Sequence, residues 1–359
     1  MRKAFLVVVV LLYVSLAIYA ADQPFAEFKW FNAKSVYAQN PADIFSANST
    51  LGYLLLQTGQ PRIIRVTPTD GSGEYVDIPI YKEGHYTDEK AYIHLKTGVN
   101  VGFTRISLFK ENFELEFGLS AAINSIFQGF GGADNLGFDG VYFLGPQLRL
   151  FNKISFKFGL QHYSGHYGDE TLENSYATNG VLRNALEYTR DNNLFFGVNI
   201  DILKNLSLSV EATLPREKTW MGPAVHIPSW VLKPSNGESY YKIAANDEKV
   251  AAVEYPDFYK AWIVQGGILY DHYLTKQLAL SLAGFVKLHQ DGMTEHTIGA
   301  FQEDNPWEAE YTLALGVVLK DPNADFTTRV NLTYHNGRTP LLNFFYQRTS
   351  YVSLSIIMG

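Results

Sequence analysis

The sequence predicts an all-β fold: a transmembrane antiparallel β-barrel of about twelve strands, preceded by a signal peptide. Three observations predict it. Apolar and polar residues alternate with period two through most of the chain. Short polar turns alternate with long loops, as in outer-membrane barrels. The one long apolar run stands at the N-terminus and has the form of an export signal. Composition removes other classes. The absence of cysteine excludes a disulfide framework, a thiolate metal site and lipoprotein anchoring. A net charge of −7 argues against a nucleic-acid partner, which wants a clustered basic face. A mean hydropathy near zero excludes a bundle of membrane-spanning helices.

Met1-Arg2-Lys3 begins the chain, an apolar run follows from Ala4, and small residues stand at Ala20 and Ala21. A positive start, a short apolar core and a small-residue exit make residues 1–20 a signal peptide, with cleavage after Ala20. No later run reaches the ~20 apolar residues of a spanning helix, so any membrane crossing is made by strands. Residues 21–60 carry Phe25, Phe28, Trp30 and Phe31 and the run Tyr53-Leu54-Leu55-Leu56. They form a periplasmic extension, an inward plug or an extra strand pair. The barrel is expected over residues 61–359, its first strand at residues 61–67.

Further on the alternation is plain. Phe113, Leu115, Phe117, Leu119, Ala121 and Ile123 face one way, and Glu114, Glu116, Ser120 and Asn124 the other. Leu278, Leu280, Leu282, Gly284, Val286 and Leu288 repeat the pattern, which Phe285 breaks once. Trp307 to Val317 and Phe326 to Tyr334 repeat it again. Several segments match the ~9–11 residues of a tilted spanning strand. Aromatics such as Phe113, Trp262, Tyr270, Trp307 and Tyr334 sit near strand ends, where an interfacial girdle belongs. Short turns are expected at residues 110–112, 152–153, 204–205, 275–276 and 321–324. Longer segments lie near 69–91, 128–137, 167–182, 215–256, 290–306 and 336–346. Five turns and six loops give twelve strands with both termini periplasmic. The last strand, residues 351–359, does not end on the aromatic common in such barrels.

Glu114, Glu116, Arg149, Lys157, Lys287, Glu308, Glu310 and Arg329 fall on interior phases. Mixed charge in a narrow barrel favours paired networks and a largely filled lumen, because an unpaired buried charge is costly.

One constellation carries chemistry. Ile154, Phe156, Phe158 and Leu160 mark a lipid-facing phase that His162, Ser164 and His166 continue toward the external rim. His162 and Ser164 at i, i+2 put an imidazole beside a hydroxyl whose proton it can take. A third group must orient the imidazole, and Asn192 or Asn184 on the next strand has the right parity. A level register makes Ser164 and Asn192 cross-strand neighbours.

These residues resemble the outer-membrane phospholipase A family, a twelve-stranded barrel with a Ser–His–Asn site on its lipid-facing wall. That family's motif is His-x-Ser-Asn-Gly, with an Asn on the next strand. The chain matches at His162 and Ser164 and departs at Gly165 and His166, where the family has Asn and Gly. The resemblance implies catalysis by His162, Ser164 and Asn192. It also implies calcium-dependent dimerisation, with Asp169 and Glu170 as oxygen ligands. A second resemblance covers more of the barrel, from about Pro61 onward. It is to a domain-of-unknown-function family of outer-membrane barrels with a Ser-His-x-Gly-Asp-Glu segment. The counterparts are His166-Tyr167-Gly168-Asp169-Glu170, Tyr188-Thr189-Arg190, Asn336-Gly337-Arg338 with Phe344-Phe345, and the final strand; Gly165 replaces the Ser. It implies an outer-membrane location and no particular activity.

Other signals have plainer explanations. Gly129-Phe130-Gly131-Gly132 lacks the Lys-Ser/Thr of a phosphate loop. Glu114/Glu116 and Glu308/Glu310 fit interior salt networks better than glycosidase chemistry. The sequence ranks a structural or interaction barrel first. A lipid-acting hydrolase and a narrow small-solute channel follow. The expected location is the bacterial outer membrane. The expected partners are membrane lipids, and the only cofactor in view is calcium, for the hydrolase alone.

Overall fold

The computed structural model describes residues 26–58, 63–68, 76–79, 90–109, 111–129, 135–171, 190–214, 231–232, 262–289, 307–320, 327–341 and 348–359. The expected signal peptide and Asn184 lie outside these residues. Sixteen strands are described. They are β1 (Ala26–Asn32), β2 (Ser49–Thr58), β3 (Ile63–Pro68), β4 (Val76–Pro79), β5 (Ala91–Leu108), β6 (Phe113–Gln128), β7 (Asn135–Leu150) and β8 (Ile154–Tyr167). The second half holds β9 (Arg190–Leu203), β10 (Leu206–Leu214), β11 (Val231–Leu232), β12 (Ile263–Tyr273), β13 (Leu278–His289), β14 (Glu308–Lys320), β15 (Thr327–Arg338) and β16 (Arg348–Met358).

Twelve of them close a ring. From β5 the antiparallel order runs through β6, β7, β8, β9, β10, β12, β13, β14, β15 and β16 to β2, and β2 pairs back on β5. One extra strand, β1, also pairs with β5. The strand expected at residues 61–67 is not in the ring. Ile63–Pro68 belongs to a separate three-stranded sheet with β4 and β11, and the ring's first full strand is β2. The run Tyr53 to Leu56 hid it. Tyr53 and Leu55 face outward and Leu54 and Leu56 are buried, so apolar residues occupy both faces and the alternation vanishes.

Elsewhere the faces follow the pattern. Leu115, Phe117 and Ile123 are exposed on the outside, while Glu114, Glu116, Ser120 and Asn124 are buried within. Leu282, Leu315 and Leu332 stand side by side on β13, β14 and β15 and form a continuous exposed apolar band. No helix among the described residues is long and apolar enough to cross a membrane. A closed antiparallel cylinder with an apolar outside and a polar inside satisfies every wall hydrogen bond without water, the condition for strands in hydrocarbon. The chain is a closed twelve-stranded β-barrel of the outer-membrane type.

Part of the chain lies inside the lumen. β1 pairs with the lower end of β5, from Ala26 opposite Leu108 to Asn32 opposite Gly102. β2 takes up the same side of β5 higher on, from Thr50 opposite Lys96 to Leu55 opposite Ala91. Between them residues 33–48 leave the wall and fold inward. Phe31, at φ 53°, stands where the path bends. Within residues 21–60, residues 26–32 form β1 and residues 49–58 form β2.

The plug is anchored from several sides. Tyr37 Oη donates to Glu211 Oε1 at 2.8 Å. Ser155 Oγ donates to the Val36 carbonyl at 3.1 Å, and Asn199 Nδ2 to the Ala38 carbonyl at 3.1 Å. Asn40 Nδ2 donates to the carbonyls of Ile268 and Gly284. Ala42 packs with Ala283, Phe285 and Ala314 in a small buried cluster. Gly197 makes room for it: a Cβ there would lie 2.7 Å from Tyr37 Oη.

Several lumenal charges are paired around it. Arg105 reaches Glu116 at 2.6 Å and Glu114 at 3.7 Å. Arg329 meets Asp271 at 2.8 Å, and Ser281 Oγ donates to the same carboxylate. Arg348 and Arg338 hold Glu308 at 2.8 and 3.2 Å. Glu310 is met by His289 at 3.0 Å and Lys287 at 3.7 Å. Lys157 sits over the rings of Phe143, Phe195 and Tyr37, with its Nζ 4.0, 5.0 and 5.6 Å from their centroids.

Candidate functional site at the outer wall

β8 rises from the short turn at residues 151–153. Ser155, Lys157 and Gln161 are buried in the lumen, and Phe158 is exposed outside. His162, Ser164 and His166 keep the outward phase and are half-buried. Same-face neighbours on a strand are about 6.7 Å apart at Cα, so an imidazole and a hydroxyl two residues apart can meet only through their rotamers.

The neighbouring strand gives this row an aromatic border. Tyr142, Gly140 and Phe138 of β7 stand opposite His162, Ser164 and His166. The Tyr142 and His162 rings lie 5.8 Å apart, tilted by 32°. Phe138 stacks on His166 at 4.6 Å and 13°. The absent side chain of Gly140 matters between them. A Cβ there would lie 2.9 Å from both Ser164 Oγ and Tyr142 Oη. The two hydroxyls therefore converge on one point above the glycine. Sequence reasoning passed over Phe138, Gly140 and Tyr142. Their signal was a glycine between two aromatics on a lipid-facing phase.

On the other side, β9 sets a register two residues from the level pairing. Asn192 stands opposite His162, and Ser164 stands opposite Arg190.

Above the row, Asp169 and Glu170 are exposed in a short helical turn that follows β8. Glu170 Oε2 accepts from the Asn135 backbone N–H at 3.3 Å. Thr171 Oγ1 donates to the carbonyls of Asn135 and Leu136 at 3.1 and 3.2 Å. The Gly168 N–H donates to Leu136 O at 3.1 Å. The segment 166–171 thus folds back onto the start of β7. Among the described residues no group of three or more His, Asp and Glu side chains is arranged to hold a metal ion.

No protein-family model matches the chain, nor does any curated protein sequence. Among solved structures it is similar to outer membrane phospholipase A from Escherichia coli, at 12% identity over 87% of this chain and 96% of that one, with a TM-score of 0.43. It is similar to the calcium-bound outer membrane phospholipase dimer of Salmonella typhi, at 11% identity over 90% and 95%, TM-score 0.46. A Pseudomonas aeruginosa FadL homologue follows at 13% identity over 89% and 90%, TM-score 0.28. The fold stated above stands on the strand register of this chain, and no function is taken from these likenesses.

Proposed function

We propose that this barrel works at its lipid-facing wall, as a hydrolase of membrane-lipid esters. One observation carries the reading. His162 and Ser164 are successive outward residues of β8, and Asn192 falls in register with His162. A catalytic imidazole needs its orienting partner beside it more than beside the nucleophile.

In this reading His162 takes the Ser164 proton as Oγ attacks the acyl carbonyl. The imidazolium then returns a proton to the leaving alcohol, and water, deprotonated by the same imidazole, releases the acid. Asn192 holds the imidazole tautomer. The lack of a side chain at Gly140 lets the Tyr142 hydroxyl approach Ser164 Oγ, where it can donate to the acyl carbonyl oxygen. Calcium at Asp169 and Glu170 belongs to this reading as a proposal.

The test is phospholipid hydrolysis in mixed micelles by the wild-type protein and by Ser164→Ala, with and without calcium. Loss of the nucleophile lowers the rate by about 10³-fold or more. Equal release from both proteins ends the reading.

A structural or interaction barrel is the second reading. The plug bonded to the inner wall favours it. It predicts no hydrolysis above background from either protein.

A further inference from the structure

Between Asn32, opposite Gly102, and Thr50, opposite Lys96, β5 advances six residues while the first strand uses eighteen. The excess is twelve, an even number. Strand faces alternate with period two, so an even excess can be removed without turning the strand over. Residues 36–47 are twelve residues and contain the plug's anchors Tyr37, Asn40 and Ala42. Joining Ser35 to Asn48 puts Asn48 opposite Gly98 and Ser49 opposite Thr97, which meets the existing pair Thr50–Lys96.

We infer that the barrel is a pore for small hydrophilic solutes, held shut by a twelve-residue insertion in its first wall strand. The lumen supports this. The groups that the plug engages include the polar wall residues Ser155, Asn199 and Glu211. Without it they would line a wet passage. The insertion is held in the wall on both sides, by β1 below and β2 above. It can therefore shift within the bore but cannot be drawn out as a free N-terminal plug could. Apolar contacts seat it as well: Ala42 packs with Ala283, Phe285 and Ala314, and Phe45 meets Tyr163 edge-on at 6.2 Å. The inference is independent of the hydrolase reading, because the plug is inside the barrel and His162 and Ser164 are outside.

Planar-bilayer recordings test it with three proteins. The wild type is expected to give no current steps. The variant lacking residues 36–47 is expected to give uniform steps, with β-sheet circular dichroism like the wild type. Ala42→Trp leaves the wall intact but has no room in its seat, since Ala42 is 2% exposed; it is expected to give unsteady openings. A wild type that conducts like the deletion variant overturns the inference. So does a folded deletion variant that stays silent. If the deletion variant does not fold, silence of Ala42→Trp overturns it.

Discussion

Phe285 turns an aromatic ring into the lumen, where it packs on Ala42. The two meet in the small cluster that also holds Ala283 and Ala314. A residue that breaks the alternation of β13 is thus the wall's half of the contact with the plug. Phe285→Ala is expected to cost about 3–5 kcal/mol, because the removed ring leaves a space the wall cannot close. Phe285→Leu keeps most of the volume and is expected to cost less, about 1.5 kcal/mol. Urea unfolding of the detergent-folded protein measures both. Equal midpoints for the alanine variant and the wild type would show that the contact does not support the fold. Lys157 illustrates the same logic with charge: its ammonium rests on three rings of the lumen.

The hairpins were legible because each strand between lipid and lumen must alternate, and each short turn needs polar residues at the periplasmic rim. The turns at residues 151–153, 204–205 and 274–277 fall where the polar residues placed them. The first strand was not legible. Its two halves are separated by residues that meet the lumen wall on several sides, and a segment with neighbours in all directions has no period. The outer band gives a prediction at this scale. Leu315 is 60% exposed between Leu282 and Leu332 of the adjacent strands. Leu315→Arg is expected to cost about 2–4 kcal/mol if it lies near the bilayer midplane. Refolding into vesicles measures this, and an unchanged folding yield and midpoint would move the band out of the hydrocarbon.

For the whole molecule, the sequence carried the ring of strands and the outward row of His162, Ser164 and His166. It could not carry the pairing of that row with β9. The loop between β8 and β9 is long, and a long loop does not set register as a tight turn does. The aromatic border from β7 was missed for a related reason. Phe138 and Tyr142 read as ordinary lipid-facing residues until the sheet sets them against His166 and His162.

The outward row has a consequence for how molecules arrive. Ser164 and His162 stand on the side of the cylinder that touches the bilayer, so what reaches them travels sideways within the leaflet. On the hydrolase reading, turnover follows the mole fraction of lipid in the surface and not its concentration in the bulk. Diluting mixed micelles with inert detergent at constant total lipid should slow the reaction in proportion; a rate that ignores such dilution would place the chemistry somewhere other than this wall.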